Sequence, residues 1–308
     1  MGFNHIPVMV EEICSYLPQA GGCVADFTIG GGGHSFEFLK RNDAIGLVGV
    51  DRDPEAIRAA REKLKSFHGR FELIHASFSE AAFRLKAEEQ RFDFILADLG
   101  FSSFQIDTPE RGFSFLHEGP LDMRMNPESG ITAAQLINQK GERELARIIQ
   151  QYGEERFAFR IARQILIHRK KKPLSLTTEL VECVKEAVPQ KFQFQRTHPA
   201  TKTFQAFRVV VNEEIRQLGD FLRCAIELLN SGGRIAIITF HSLEDRPVKQ
   251  RFREWENPCT CPVEVPVCVC GLKPQVRKIH KKVIQASKAE IAINPRARSA
   301  KLRIVEKL

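Results

Sequence analysis

Asp51 and Asp98 each close a short apolar run, and a glycine loop stands ahead of both. Cys23-Val24-Ala25 leads into Asp26-Phe27-Thr28-Ile29-Gly30-Gly31-Gly32-Gly33-His34-Ser35, and Phe36-Glu37-Phe38-Leu39 is compatible with a helix. Strand, glycine loop and helix follow in that order. Four consecutive glycines let the backbone turn sharply and bring bare N–H groups and a helix N-terminus close to a ligand. Gly46 to Val50 then delivers Asp51 at a strand's carboxyl end, where an acidic side chain in a doubly wound sheet accepts hydrogen bonds from ribose hydroxyls. The dinucleotide fingerprint G-x-G-x-x-G is not met, because Ser35 and Phe36 stand where its third glycine would fall. A nucleoside without phosphates is therefore expected in place of a pyrophosphate. The alternative is a tight βα turn packed without a ligand.

S-adenosyl-L-methionine (SAM) fits such a pocket, and Asp98 would then face the reacting centre. Methylating an aromatic amine requires its delocalised nitrogen lone pair to be localised toward the methyl group. A carboxylate or carbonyl does this by accepting hydrogen bonds from the amine. Phe101 and Phe104 would stack on an extruded base. In the competing reading Asp98 only caps its loop and both phenylalanines belong to the core. His241, Ser242, Glu244 and Asp245 follow a later strand, and His241 is the second candidate catalytic residue or else a hydrogen-bonding scaffold. Cys259-Thr-Cys261 and Cys268-Val-Cys270 form a C-x-C…C-x-C cluster flanked by Pro258, Pro262 and Pro266. Four thiols can hold structural zinc, although the usual knuckle is C-x₂-C.

These side chains need a scaffold, and the spacing supplies one. Asp53-Pro54 is an N-cap followed by proline at the first helical position, with Ile57, Ala60 and Leu64 on one stripe. Strands are predicted at Phe71 to His75 and Phe92 to Asp98, and the βα alternation predicts a parallel sheet. Regularity then breaks. Phe101 to Gly130 reads as a loop, Glu142 to Tyr152, Glu154 to His168 and Thr177 to Val188 as helices, and His198 to Gln205 as a substrate contact or a joint. A helix over Asn212 to Leu229, a turn at Asn230-Ser231-Gly232-Gly233, a strand from Arg234 to Phe240 and a last strand from Leu302 to Glu306 restore the α/β pattern.

The 308 residues carry a formal net charge of +8, which is unevenly spread. Residues 273–303 hold ten Lys or Arg against Glu290 alone, leaving the remainder close to neutral, and within that remainder Arg156 to Lys172 holds seven more with no acid. Two basic zones of this kind suit a phosphate backbone, whereas a small metabolite or a protein substrate needs neither. A non-catalytic RNA-binding factor would have no need of the ribose acceptor at Asp51. No apolar stretch approaches the ~18 residues of a membrane span, Glu11 and Glu12 stand where a signal peptide needs an apolar run, and the eight cysteines lack a secretory context. A cytoplasmic protein with no membrane partner is expected.

Seven blocks carry a family resemblance: Asp98-Leu-Gly-Phe-Ser-Ser-Phe-Gln105, Glu110-Arg-Gly-Phe-Ser-Phe115, Gly119-Pro-Leu-Asp-Met-Arg-Met125, Tyr152-Gly-Glu-Glu-Arg156, His198-Pro-Ala-Thr-Lys-Thr-Phe-Gln205, Phe240-His-Ser-Leu-Glu-Asp-Arg246 and Asn294-Pro-Arg-Ala-Arg-Ser299. In that order they resemble the bacterial MraW/RsmH methyltransferases essentially end to end. The resemblance implies SAM-dependent methylation of the exocyclic N4 amine of one cytidine in small-subunit (16S) ribosomal RNA, free or in the assembled small subunit. It implies cofactor contacts at Gly32, Gly33, His34, Asp51, Phe78, Asp98 and Gln105. Phe27 replaces a usual glycine, and Ile29-Gly30-Gly31 a common Phe-Gly-Arg, with the glycine loop retained. The expected fold is α/β: a Rossmann-like class I methyltransferase parallel sheet from 1–107 and 211–308, with an inserted helical substrate-recognition domain at 108–210. Monomer and homodimer are both left open.

Overall fold

A computed structural model describes residues 7–193, 198–262 and 269–308. Two compact units form, one of Met1–Gly100 with Ile215–Leu308 and one of Phe101–Glu214. The interruption of the α/β pattern thus begins seven residues earlier than 108 and ends four later than 210.

In the first unit β1 (Gly22–Asp26), β2 (Ile45–Asp51), β3 (Phe71–His75), β4 (Phe92–Asp98), β5 (Leu229–Thr239), β6 (Val276–Lys278), β7 (Ile284–Gln285) and β8 (Lys301–Lys307) build one sheet. Its order is β3-β2-β1-β4-β5-β8-β6, with β7 also on β8. The first five strands are parallel; β8 runs antiparallel to β5, β6 and β7. Strands buried on both faces must be apolar throughout, and Phe92-Asp-Phe-Ile-Leu-Ala-Asp98 at the centre nearly is. Ala25, Ile95, Ile235 and Ile237 pack toward Phe221 and Val248 on one face. Val24, Phe94, Leu96, Ala236 and Ile238 pack toward Phe38 and Leu64 on the other. The chain winds outward from β1 through β2 to β3 and then returns to place β4 on the other side of β1. That reversal opens a crevice at the strands' carboxyl ends, where open α/β sheets bind ligands.

Local chemistry fixes the helix starts. The Asp53 side chain accepts the Glu55 N–H at 3.0 Å with Pro54 at the first helical position, opening the helix Pro54–Leu64. Ser77 and Glu80 form a capping box that opens Phe78–Ala87. The expected helix over 212–229 is shorter, Glu214–Cys224, followed by a 3₁₀ turn Ala225–Leu228. The turn expected at 230–233 lies inside β5 as an irregularity: Phe92 pairs with Leu229 and Phe94 with Arg234.

The second unit is helical. Ala133–Gln139, Glu142–Gly153, Ala158–Lys171, Thr177–Ala187 and Thr201–Val211 enclose Leu136, Leu145, Ile149, Ile161, Leu180 and Phe207. The segment expected as a loop after Phe101 carries a helical turn, Ser103–Asp107, and a 3₁₀ turn, Pro109–Arg111. Among the described residues no helix is long and apolar enough to cross a membrane.

Candidate functional site

Three carboxylates converge on the carboxyl edge of the parallel sheet: Asp26 from β1, Asp51 from β2 and Asp98 from β4. Asp26 is buried and accepts the Ser35 hydroxyl at 2.8 Å and the Thr28 N–H at 3.2 Å, which ties both ends of the glycine loop to the strand. Asp51 accepts the Gly30 N–H through Oδ2 and the Asp53 N–H through Oδ1, each at 2.9 Å, so one side chain fixes the loop and the next helix entrance. Carboxylate oxygens take more than one hydrogen, so both remain able to accept from vicinal hydroxyls. Burial pushes Asp26 and Asp51 up to about 6.

Asp98 is the least compensated of the three. Its backbone N–H donates to Thr28 Oγ1 at 2.6 Å, yet its buried Oδ1 has no hydrogen-bond partner among the described residues. Burial first, then the negative charges of Asp26 and Glu244, raise its pKa well above the ordinary carboxylate range. An unsatisfied buried acceptor is costly unless a donor arrives from outside the chain.

The glycine loop shapes the space in front of these groups. Gly30 has φ +51°, and a Cβ there would find nothing closer than the Thr28 carbonyl oxygen at 3.9 Å. Gly32 caps the helix Gly33–Arg41 with φ +78°, and its Cβ would press on Ala60 Cα at 3.3 Å. Gly33 and His34 open that helix. His34 Nε2 lies 2.8 Å from the Val8 carbonyl oxygen, which can only accept, so this nitrogen carries the hydrogen. Nδ1 then lies 4.0 Å from Asp98 Oδ2. Phe78, at the start of its helix, packs edge-on against Phe221 with ring centres 5.6 Å apart.

At the end of β5, His241 Nε2 is 3.1 Å from Glu244 Oε1, and Glu244 Oε2 accepts the Phe240 N–H at 2.8 Å. Glu244 is buried and orients the imidazole, whereas Asp245 is committed to Arg303 at 2.8 Å and Lys301 at 3.6 Å. Asp26, Thr28 and Glu244 carry roles that the sequence reading did not assign. The first two were visible as an Asp-x-Thr spacing at a strand end.

Further expectations fall in the second unit and in the C-terminal part of the first. Gln105 is buried, and its side chain accepts the Ser102 N–H at 3.0 Å in a capping box. Phe101 is 40% exposed, with the Arg208 guanidinium 4.7 Å above its ring; Arg208 also makes two 2.9 Å bonds to Glu214. The basic stretch 156–172 is not uniformly available for phosphates. Arg169 donates to the Ile137 and Lys140 carbonyls at 2.6 Å each, and Arg156 lies 3.7 Å over the Phe192 ring. In the 273–303 zone of the first unit, Arg277 pairs with Glu306, Lys278 with Glu256, and Lys301 and Arg303 with Asp245. Of the cysteine cluster, Cys259, Cys261 and Cys270 are close together, and Cys268 lies outside the described residues.

A sulfonium cofactor with an ammonium group fits this edge, because it brings cationic charge to three clustered carboxylates and donors to the one, Asp98, whose Oδ1 has none. The chain is 48% identical to the Ribosomal RNA small subunit methyltransferase H of Geobacter sp. (strain M21) over 99% of both chains. It is 49% identical to the protein of that name from Pelobacter propionicus, covering 100% of this chain and 99% of the relative. Against that of Carboxydothermus hydrogenoformans the figures are the same. The family model described as MraW methylase family matches residues 2–308, and the chain belongs to that family.

Proposed function

We propose that the protein is a SAM-dependent methyltransferase of small-subunit ribosomal RNA, acting in the cytoplasm on the N4 amine of one cytidine. The observation that carries this reading is the unsatisfied Asp98 Oδ1, set beside Asp26 and Asp51 at the sheet's switch point. Full-length relatedness to proteins named for methylation of that RNA supports the substrate class. When bound, the cofactor supplies an electrophilic methyl group.

Asp51 would hold the ribose hydroxyls, the N–H groups of Gly33 and His34 the polar end of the cofactor at the turn that Gly32 makes, and Phe78 one wall of the pocket. Gln105 of the second unit is a cofactor contact by the family resemblance alone. Asp98 accepts an N–H, which localises the lone pair of an exocyclic amine. His241, held through Nε2 by Glu244, keeps Nδ1 as its basic nitrogen and receives the proton that the methylated amine sheds. Exposed Lys170 and Lys171 of the second unit contact the RNA backbone, so this helical unit serves as the substrate-recognition domain.

Mass spectrometry of ribosomal RNA nucleosides from cells with and without the protein tests the whole reading. Loss of one N4-methylated cytidine, restored by the wild type and not by Asp98→Ala, is expected. An unchanged nucleoside profile would remove the assignment.

A further inference from the structure

Between the helix Ser242–Glu256 and β6, residues 257–275 contain no regular secondary structure and no buried residue among those described. Val269 is 80% exposed and Leu272 52%, so apolar burial does not order the segment. Its base is nonetheless closed: the Gln275 N–H donates to the Trp255 carbonyl at 2.8 Å, and the Leu308 N–H donates to the Gln275 carbonyl at 3.0 Å. Within this loop the Sγ atoms of Cys259, Cys261 and Cys270 all lie within 4.8 Å of one another. The Val269 N–H points at Cys261 Sγ, 3.4 Å away.

Tetrahedral zinc with bonds of about 2.3 Å holds its thiolates about 3.8 Å apart. Three sulfurs gathered close to that spacing, without a core to gather them, suit a shared ion. A backbone N–H directed at sulfur suits a thiolate, which is the stronger acceptor of such a bond. We infer that Cys259, Cys261 and Cys270 bind one zinc ion that staples the 257–275 loop. The soft thiolate set disfavours magnesium and calcium, which take oxygen ligands. The ion closes the 12 residues from Cys259 to Cys270, so its contribution is chiefly to the order of this segment. It lies outside the three-carboxylate edge and has no part in methyl transfer.

The full chain is purified under reducing, chelator-free conditions, and its zinc content is measured by elemental analysis. About one zinc per chain is expected. Cys259→Ser, Cys261→Ser and Cys270→Ser should each lose most of it, while Cys23→Ser, an exposed cysteine elsewhere in the first unit, retains it. Replacing zinc by cobalt in the wild type should give the absorption of a tetrahedral thiolate site, a readout that needs no variant to fold. Limited proteolysis should cut between Asn257 and Gln275 only after chelation. The inference is overturned if the wild type holds no zinc and takes up neither zinc nor cobalt. It is equally overturned if the ion recovered is iron, or if the Cys259→Ser/Cys261→Ser/Cys270→Ser triple variant keeps its zinc.

Discussion

Asp51, Asp26 and Asp98 occupy equivalent strand ends but differ in what the chain offers them, and their substitutions should separate accordingly. Asp51→Ala removes the ribose acceptor and should weaken binding of SAM or its demethylated product by about 1.5–3 kcal/mol, the range for a hydrogen bond to a charged group. Calorimetry on the folded variant checks this, and affinity equal to wild type would remove Asp51 from the pocket. Asp26 gives a pH signature in the ligand-free protein. Its folded pKa, about 6, lies above the ordinary 3.8, so the folded state binds the extra proton. The resulting stability is fully present below the ordinary value and is lost as pH rises through about 6. Asp26→Asn has no such dependence, so the melting temperature of wild type relative to the variant should fall between pH 4 and pH 7. A difference independent of pH would contradict the burial of that charge. Of these three residues the sequence singled out the two with spare acceptor capacity. Asp26 had no ligand chemistry to mark it, since both its partners, Ser35 and Thr28, are supplied by the loop it anchors.

At the scale of elements the glycine loop divides into a position facing open space and a position facing backbone. Gly30→Ala and Gly32→Ala each force an L residue into the left-handed region, at a cost of about 1–2 kcal/mol. Only Gly32→Ala also pushes on the helix Pro54–Leu64 through Ala60 Cα, so its melting temperature should fall further. Gly30→Ala should keep most of its stability and lose cofactor affinity, because its new methyl group fills the space before the carboxylates. Equal melting temperatures for the two variants would contradict this division. In the second unit Arg208→Ala strands a buried Glu214 and should destabilise by about 3–5 kcal/mol, read by chemical denaturation. How much of this was legible depended on where each element's information lies. Phe92–Asp98 was legible to the residue because a mostly apolar run declares a buried parallel strand, and Phe71–His75, an edge strand with only Ile74 buried, because the βα alternation calls for a strand there. The 230–233 segment reads as a turn by composition, and only pairing with β4 draws it into β5. The edge strands β6 and β7 are two or three residues long and owe their extension to β8, so no local pattern announces them.

Over the whole molecule, a net charge of +8 says only that a polyanion is welcome; the structure sorts which cations are spare. Arg169 spends its guanidinium on the Ile137 and Lys140 carbonyls, and Arg303 spends its own on Asp245, so neither is offered to a phosphate without loss to the fold. A run of basic residues cannot show this, because backbone carbonyls and aromatic rings as partners leave no mark in local composition. Lys170 and Lys171, at the exposed end of the helix Ala158–Lys171, are the better candidates for the RNA backbone. Each phosphate contact removed should flatten the dependence of log affinity on log salt by about 0.7–0.9, so Lys170→Gln/Lys171→Gln together should flatten it by about 1.5. That variant should keep its melting temperature and its affinity for SAM. Arg169→Ala, by contrast, should lower the melting temperature, because it leaves the Ile137 and Lys140 carbonyls without their donor. Filter binding to small-subunit ribosomal RNA across a salt series decides the matter. A double variant with the wild-type slope would move the RNA off this end of the helix and onto exposed cations of the 273–303 zone such as Lys273, Lys281, Lys282, Lys288 and Arg298.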